Sequence, residues 1–199
     1  MSPALLPFTR WRVAMRWRLS GRPVPPPHVV KQQLVLRYRR TRGLRTLVET
    51  GTFTGEMVSA MRPYFDRIVS IELSPLYHQE AQRRFAGAAG IELLLGDSAA
   101  LLPRVLDTVH EPALFWLDGH FTGAASARGE TDTPIVAELD ALLHHPVPGH
   151  AVLIDDARMF IGRDGYPTLD ELNAQILAVR PHATLRVEGD IICCILDHD

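Results

Sequence analysis

Residues able to do chemistry stand where short apolar runs end. The first run closes in Glu49-Thr50-Gly51-Thr52-Phe53-Thr54-Gly55 and opens directly into a helical stretch. Gly51 permits a turn and close backbone approach, and free N–H groups at a helix start hold a carboxylate or phosphate, although the same residues also suit a plain turn. Phe53 stands where the G-x-G-x-x-G dinucleotide fingerprint has its second glycine, the one that lets a pyrophosphate approach the backbone, which disfavours NAD and FAD. A second run, Ile68-Val69-Ser70-Ile71-Glu72, ends in an acid 21 residues after Gly51. A carboxylate there accepts both ribose hydroxyls of an adenosine, or is a solvated acid ahead of the helix that Ser74-Pro75 begins; the glycine loop upstream favours the ribose. The third run ends in Gly96-Asp97-Ser98, which can face an adenine amino group, cap the next helix, or do both.

Three carboxylates follow the fourth and fifth runs: Asp118 after Leu114-Phe115-Trp116-Leu117, and Asp155 with Asp156 after Val152-Leu153-Ile154. Acids directly after apolar strands converge at one sheet edge, and convergent oxygens are what a hard cation such as Mg2+ needs. The alternative is that Asp155 and Asp156 cap a helix or pair with Arg158 while Asp118 contacts only a cofactor; the metal is the favoured reading. His120, just past Asp118, is a candidate general base because its ordinary pKa lies near neutrality.

These residues need a scaffold that gathers strand ends. After a helix over 28–42 that Gly43 ends, β-rich runs at 46–49, 67–72, 91–95, 113–118 and 151–155 alternate with helical stretches at 55–61, 75–85, 98–106 and 134–143. Five βα units of this length predict a mainly parallel sheet covered by helices on both faces. A helix at 168–179 precedes runs at 183–187 and 191–196, joined by Glu188-Gly189-Asp190, a tight turn that implies a hairpin with one antiparallel strand. The expected fold is α/β, Rossmann-like and doubly wound: a mainly parallel seven-stranded sheet with a C-terminal antiparallel hairpin. Ligands of such sheets bind at the carboxyl ends of the strands.

Of 199 residues, the first 48 hold eleven of the 21 Lys and Arg and no acid, so the remainder, with all 23 acids, nets −13. An acidic domain suits a cationic cofactor or a metal and argues against a nucleic-acid surface. Residues 1–27 read as a basic arm and Pro-rich linker ahead of a domain over 28–199. Within the arm, residues 8–19 interleave Arg10, Arg12, Arg16 and Arg18 with Trp11, Val13, Met15 and Trp17. The favoured reading is a helix or strand packing its tryptophans on the domain; the other is contact with an anionic membrane surface or partner. Cys193 and Cys194 are neighbours in an apolar run and read as two buried thiols, and with no run long enough to span a membrane the expected compartment is the cytoplasm.

In order and spacing, Glu49-Thr50-Gly51 through Gly55, Glu72, Gly96-Asp97 and Asp118 resemble the class I S-adenosylmethionine-dependent methyltransferase family over about residues 44–196. Phe115-Trp116-Leu117-Asp118-Gly119-His120 and Leu153-Ile154-Asp155-Asp156 further resemble the metal-dependent O-methyltransferases of the catechol and sugar-modifying types. The chain departs from the sugar type at Asp118-Gly119-His120, where that group has Asp-Gly-Asp, and from the catechol type at Asp156, where Asn is usual. The resemblance implies S-adenosylmethionine bound by Glu49, Gly51, Thr52, Phe53, Thr54, Gly55, Glu72, Leu73, Gly96, Asp97, Ser98 and Asp118. It also implies Mg2+ held by Asp118, Asp155 and Asp156, and methyl transfer to a hydroxyl of a small molecule or sugar with His120 and Asp118 as catalytic residues. The loop over 122–133 and the basic segment 28–31 are expected to shape the acceptor pocket. The rival readings are a nicotinamide-dependent oxidoreductase and a non-catalytic module that binds S-adenosylmethionine or a membrane.

Overall fold

The apolar runs at 46–50, 67–72, 114–117, 150–154 and 191–196 form strands buried on both sides, as a sheet between helical layers requires, whereas the two edge runs at 91–95 and 184–188 are partly exposed. The computed structural model describes residues 7–119 and 133–197. Helices α1 (Pro7–Leu19) and α2 (His28–Arg42) lead into β1 (Thr46–Thr50), α3 (Glu56–Met61), β2 (Arg67–Glu72), α4 (Pro75–Arg84) and β3 (Ile91–Leu95). The chain continues through α5 (Ser98–Leu106), β4 (Leu114–Leu117), α6 (Ile135–His144), β5 (His150–Ile154), a short 3-10 turn (Ala157–Met159), α7 (Leu169–Val179), β6 (Thr184–Glu188) and β7 (Ile191–Leu196). The seven strands are ordered β3-β2-β1-β4-β5-β7-β6. All neighbouring pairs are parallel except those made by β7, so the expected hairpin supplies the one reversed strand.

Period-two alternation divides the core into two layers. Leu47, Leu114, Trp116, Leu153 and Cys193 face α2, α3 and α4, while Val48, Phe115, Val152 and Cys194 face α5, α6 and α7. The two thiols therefore lie on opposite sides of the sheet, both free, and burial pushes their pKa values up to about 11 and about 12. The strand order reverses at β1, whose neighbours β2 and β4 lead the chain to opposite sides of the sheet, and this switch opens a crevice at the carboxyl edge.

The basic arm folds back along α2, where Arg10 bonds the side chain of Gln32 and Arg18 that of Gln33. Trp17 is buried against the β6–β7 turn; its indole N–H donates to the Pro23 carbonyl at 2.7 Å and its ring lies close above Gly189. Trp11 and Leu19 are exposed. Among the described residues no helix is long and apolar enough to cross a membrane.

At the amino edge, away from the crevice, two histidines tie α5, α6 and β5 together. The Ala113 N–H donates to His150 Nδ1 (3.0 Å), His150 Nε2 lies 2.8 Å from His145 Nδ1, and His145 Nε2 lies 3.0 Å from the Leu106 carbonyl. This chain is satisfied when both rings are neutral with their protons on Nε2. Burial, reinforced by His145 and Arg180, lowers the His150 pKa to about 4. A depressed histidine contributes stability above its ordinary pKa that is lost as the pH falls toward its folded pKa. Going from pH 7 to pH 5 should therefore cost about 2 kcal/mol from this group. Urea unfolding of the parent and of His150→Gln at both pH values should show a smaller pH effect in the variant.

Candidate active site

The crevice is framed by the loop after β1. Gly51, at φ +85°, donates its N–H to the Ile71 carbonyl at 2.9 Å and lies so close to the end of β4 that a Cβ would meet the Asp118 carbonyl oxygen at 2.5 Å. A side chain there would strain the backbone and push apart the two strands that define the switch. Gly55, at φ +70°, precedes α3, and a Cβ there would meet the Phe85 ring at 2.8 Å. Between them Thr52 is buried, whereas Phe53 and Thr54 are exposed; Phe53 has a left-handed backbone at φ +46° and its ring rests 4.6 Å from that of Tyr77.

Glu72 ends β2 facing this loop. One carboxylate oxygen accepts the Phe53 N–H at 2.7 Å and the other the Ser74 N–H at 2.8 Å, so the acid clamps the glycine loop to the next βα turn. Leu73 beside it is half-buried. Glu49 lies behind the loop, bonded by Ser70 Oγ at 2.5 Å, with Thr52 Oγ1 a further 2.6 Å from that hydroxyl. Burial raises the Glu49 pKa to about 8; Ser70 opposes the rise, and the negative charges of Asp118 and Glu72 add to it. At neutral pH Glu49 is mostly protonated, and a cation placed near it would favour its ionised form. Gly96 donates its N–H to the Glu72 carbonyl at 2.9 Å, Asp97 caps α5 by accepting the Ala99 N–H at 2.9 Å, and Ser98 is buried. Of the two roles open to Asp97, the cap is observed.

On the other side of Asp118 lies β5. Register pairs Leu117 with Ile154, so Asp118 and Asp155 leave adjacent strands side by side. Asp155 is buried, accepts the Asp156 N–H at 2.9 Å and forms an ion pair with the ammonium of Lys31 from α2. Asp156 has a left-handed backbone at φ +58° and accepts Arg158 Nη1 at 2.7 Å, and the same guanidinium also pairs with Asp190. The three aspartates implied as Mg2+ ligands thus end near one edge, but Asp155 and Asp156 are each turned to a cationic side chain. Among the described residues no group of three or more His, Cys, Asp or Glu side chains is placed to hold a metal ion. Two carboxylates already neutralised by Lys31 and Arg158 do not fit the charged oxygen set that a hard cation needs. His120 and the loop over 122–132 lie outside the described residues.

Three residues with no assigned role line this part of the crevice. Thr50 ends β1 with a buried hydroxyl, and a Cβ on Gly119 would lie 3.2 Å from it and 3.4 Å from Glu138 Oε1. Glu138 is the acid on the otherwise apolar stripe Ile135-Leu139-Leu142 of α6, a pattern break that marks it in the sequence. The Tyr166 hydroxyl bonds Thr133; burial raises its pKa, as do Asp156, Asp118 and Glu138. Next to Lys31, His28 is held below its ordinary pKa, chiefly by burial, with Glu56 and Asp155 opposing and Lys31 and Arg10 assisting.

No protein-family model matches the chain, and no curated protein matches it in sequence. Solved structures do. An O-methyltransferase from Bacillus cereus in complex with SAH aligns over 98% of this chain and 94% of its own at 16% identity, with a TM-score of 0.63. TomG, an O-methyltransferase from Streptomyces achromogenes involved in tomaymycin synthesis and in complex with SAM, aligns over 95% and 89% at 18% identity and a TM-score of 0.58. The chain has the class I methyltransferase fold. Also similar is the N-methyltransferase NodS from Bradyrhizobium japonicum with SAH, at 16% identity, 96% and 98% coverage and a TM-score of 0.56. The methyltransferase fold therefore accommodates more than one kind of acceptor atom.

The Gly51 contact yields a direct test. Gly51→Ala forces a left-handed Ala, costing about 1–3 kcal/mol, and adds a backbone clash. Thermal unfolding should show Tm lowered by about 4 °C or more. An unchanged Tm would mean that the loop can withdraw from β4.

Proposed function

We propose that this chain is an S-adenosylmethionine-dependent methyltransferase that methylates a hydroxyl of a small molecule or sugar. The observation that carries the reading is the carboxyl cluster Glu49, Glu72 and Asp118, gathered at the strand switch behind a glycine loop whose backbone approaches β4 within van der Waals range. Glu72 would accept the ribose hydroxyls, exchanging or sharing the backbone donors it now holds. Asp118, and Glu49 once it has given up its proton, would supply the negative potential that a sulfonium needs, and Asp97 with Ser98 would border the adenine. A nicotinamide cofactor is disfavoured: Phe53 stands at the point where a pyrophosphate would approach, and its N–H is taken by Glu72.

In the reaction a lone pair on the acceptor oxygen forms the new C–O bond as the C–S pair departs on sulfur, leaving a neutral thioether. The hydroxyl proton must be removed because a neutral alcohol is a poor nucleophile; we assign that step to His120, two residues after Asp118 in the sequence. Positioning of the two reactants in one cleft would supply much of the remaining acceleration. No step is routed through Mg2+, since Asp155 and Asp156 are turned to Lys31 and Arg158. A turnover screen with labelled S-adenosylmethionine against sugars, catechols and amines tests both the activity and the preference for oxygen.

Two measurements examine the cofactor site. Glu72→Ala should weaken S-adenosylmethionine binding by about 1.5–3 kcal/mol in calorimetry, the range for a hydrogen bond to a charged group; unchanged affinity would remove Glu72 from the ribose site. The second uses the raised pKa of Glu49. Below pH 8 a sulfonium must displace the Glu49 proton, so affinity for S-adenosylmethionine should rise with pH and level off above about 8. S-adenosylhomocysteine lacks that positive charge, so the ratio of the two affinities should climb by up to about tenfold per pH unit below that point. Glu49→Gln should flatten the ratio.

A further inference from the structure

Lys31 occupies a place that helix packing alone does not require. It lies one turn ahead of Leu34 and Val35 on the stripe of α2 that continues to Tyr38, the residues by which this helix is buried on the sheet. Lys31 extends that stripe to the carboxyl edge, where its ammonium meets Asp155, a residue 124 positions later in the chain. The pair is sequestered, with side-chain exposures of 13% and 1%. An ammonium has three donors, and Asp155 is the partner its side chain has among the described residues. Asp155 leaves β5 beside Asp118 on β4, so the ion pair stands next to the strand end that the glycine loop touches and near which the methyl donor would sit.

We propose that Lys31 is the built-in cation of the acceptor site: its ammonium donates to the acceptor oxygen and steadies the charge that develops there, and Asp155 holds it in place so that no divalent ion is taken up. The proposal rests on the methyltransferase reading. The acceptor proton passes to the general base, the oxygen pair forms the C–O bond, the C–S pair leaves on sulfur, and Lys31 keeps its proton throughout. A fixed ammonium preorganised against developing negative charge supplies, from the chain itself, part of the charge stabilisation that a divalent ion would give at that position. His28 lies one turn away on the same helix and also feels the charge of Asp155, so the basic segment 28–31 stands at the Asp155 end of the carboxyl edge.

The test has two arms on the full chain. In the first, Mn2+ is titrated into the unmodified protein and into Asp155→Asn and followed by calorimetry and electron paramagnetic resonance. The expected result is no saturable Mn2+ site that depends on Asp155. Saturable binding that Asp155→Asn abolishes would overturn the proposal, because Lys31 would then yield its carboxylate to a metal. In the second arm, turnover of the acceptor found by the screen is measured in chelator. Lys31→Met should lower kcat by about 100-fold or more with the S-adenosylmethionine Kd within about threefold, and Lys31→Arg should recover part of the loss. Turnover by Lys31→Met within about threefold of the parent would refute the role. Should Lys31→Met fail to fold because Asp155 is left buried and unpaired, Lys31→Met combined with Asp155→Asn carries no lone charge and gives the same readout. Absence of S-adenosylmethionine binding to the unmodified protein would refute the methyltransferase reading instead, while the Mn2+ arm would still report whether Lys31 holds Asp155.

Discussion

Burying several carboxyl groups at one edge of a sheet is possible only where each finds its own compensation, because an isolated ion in a low-dielectric setting is far costlier than a paired one. At the carboxyl edge of this protein the compensation differs from acid to acid. Glu72 receives two backbone N–H groups, Glu49 keeps its proton, Asp155 takes the Lys31 ammonium and Asp156 the Arg158 guanidinium. These choices divide the crevice into two electrostatic halves. Among the described residues no basic side chain bonds Glu49 or Glu72, so that half remains receptive to a cation from outside. Around Asp155 and Asp156 the chain has already provided the positive charge.

The strand switch makes such crowding unavoidable. With β2 and β4 flanking β1 in parallel, the ends of three strands and the loop after β1 share a narrow space, and only glycine at position 51 lets the loop pass the Asp118 carbonyl. The same backbone approach that excludes a side chain allows a ligand to lie against the loop. Phe53 then limits which ligand that is: its left-handed backbone is fixed by the bond from its N–H to Glu72, so the peptide of the missing second glycine is turned toward an acid and away from any phosphate.

Much of this is legible in the sequence because it is local. Each β run and the residue that ends it are contiguous, so the position of Glu72 and Asp118 at the ends of their runs is enough to assign both to the crevice, and the Gly-containing turn at Glu188-Gly189-Asp190 announces the reversed strand. Four strands differ from the expected bounds by one residue at one or both ends: β1 runs on to Thr50, β4 spans only Leu114–Leu117, β5 begins at His150 and stops at Ile154, and β6 is shifted to Thr184–Glu188, so that Asp118 and Asp155 both lie just past their strand ends. Pairing at a distance is what local pattern does not encode. Spacing suggests that Asp155 and Asp156 converge with Asp118 on a cation, and it has no means of showing that the cation nearest Asp155 is Lys31, delivered by a helix at the far end of the chain. Helical periodicity also leaves the arm undecided, since tryptophans at 11 and 17 lie on different faces of α1, and the structure buries Trp17 while exposing Trp11.

Proteins of the same fold methylate oxygen in some cases and nitrogen in others, so architecture carries the donor and leaves the acceptor to local charge. Oxygen and nitrogen place opposite demands on that charge. A hydroxyl becomes more nucleophilic as it loses its proton, and a nearby ammonium lowers the cost of the resulting negative oxygen. An amine attacks as the neutral base and turns positive as the new bond forms, which a nearby ammonium opposes. An acceptor seated against Lys31, as proposed, is therefore favoured as oxygen over nitrogen on electrostatic grounds.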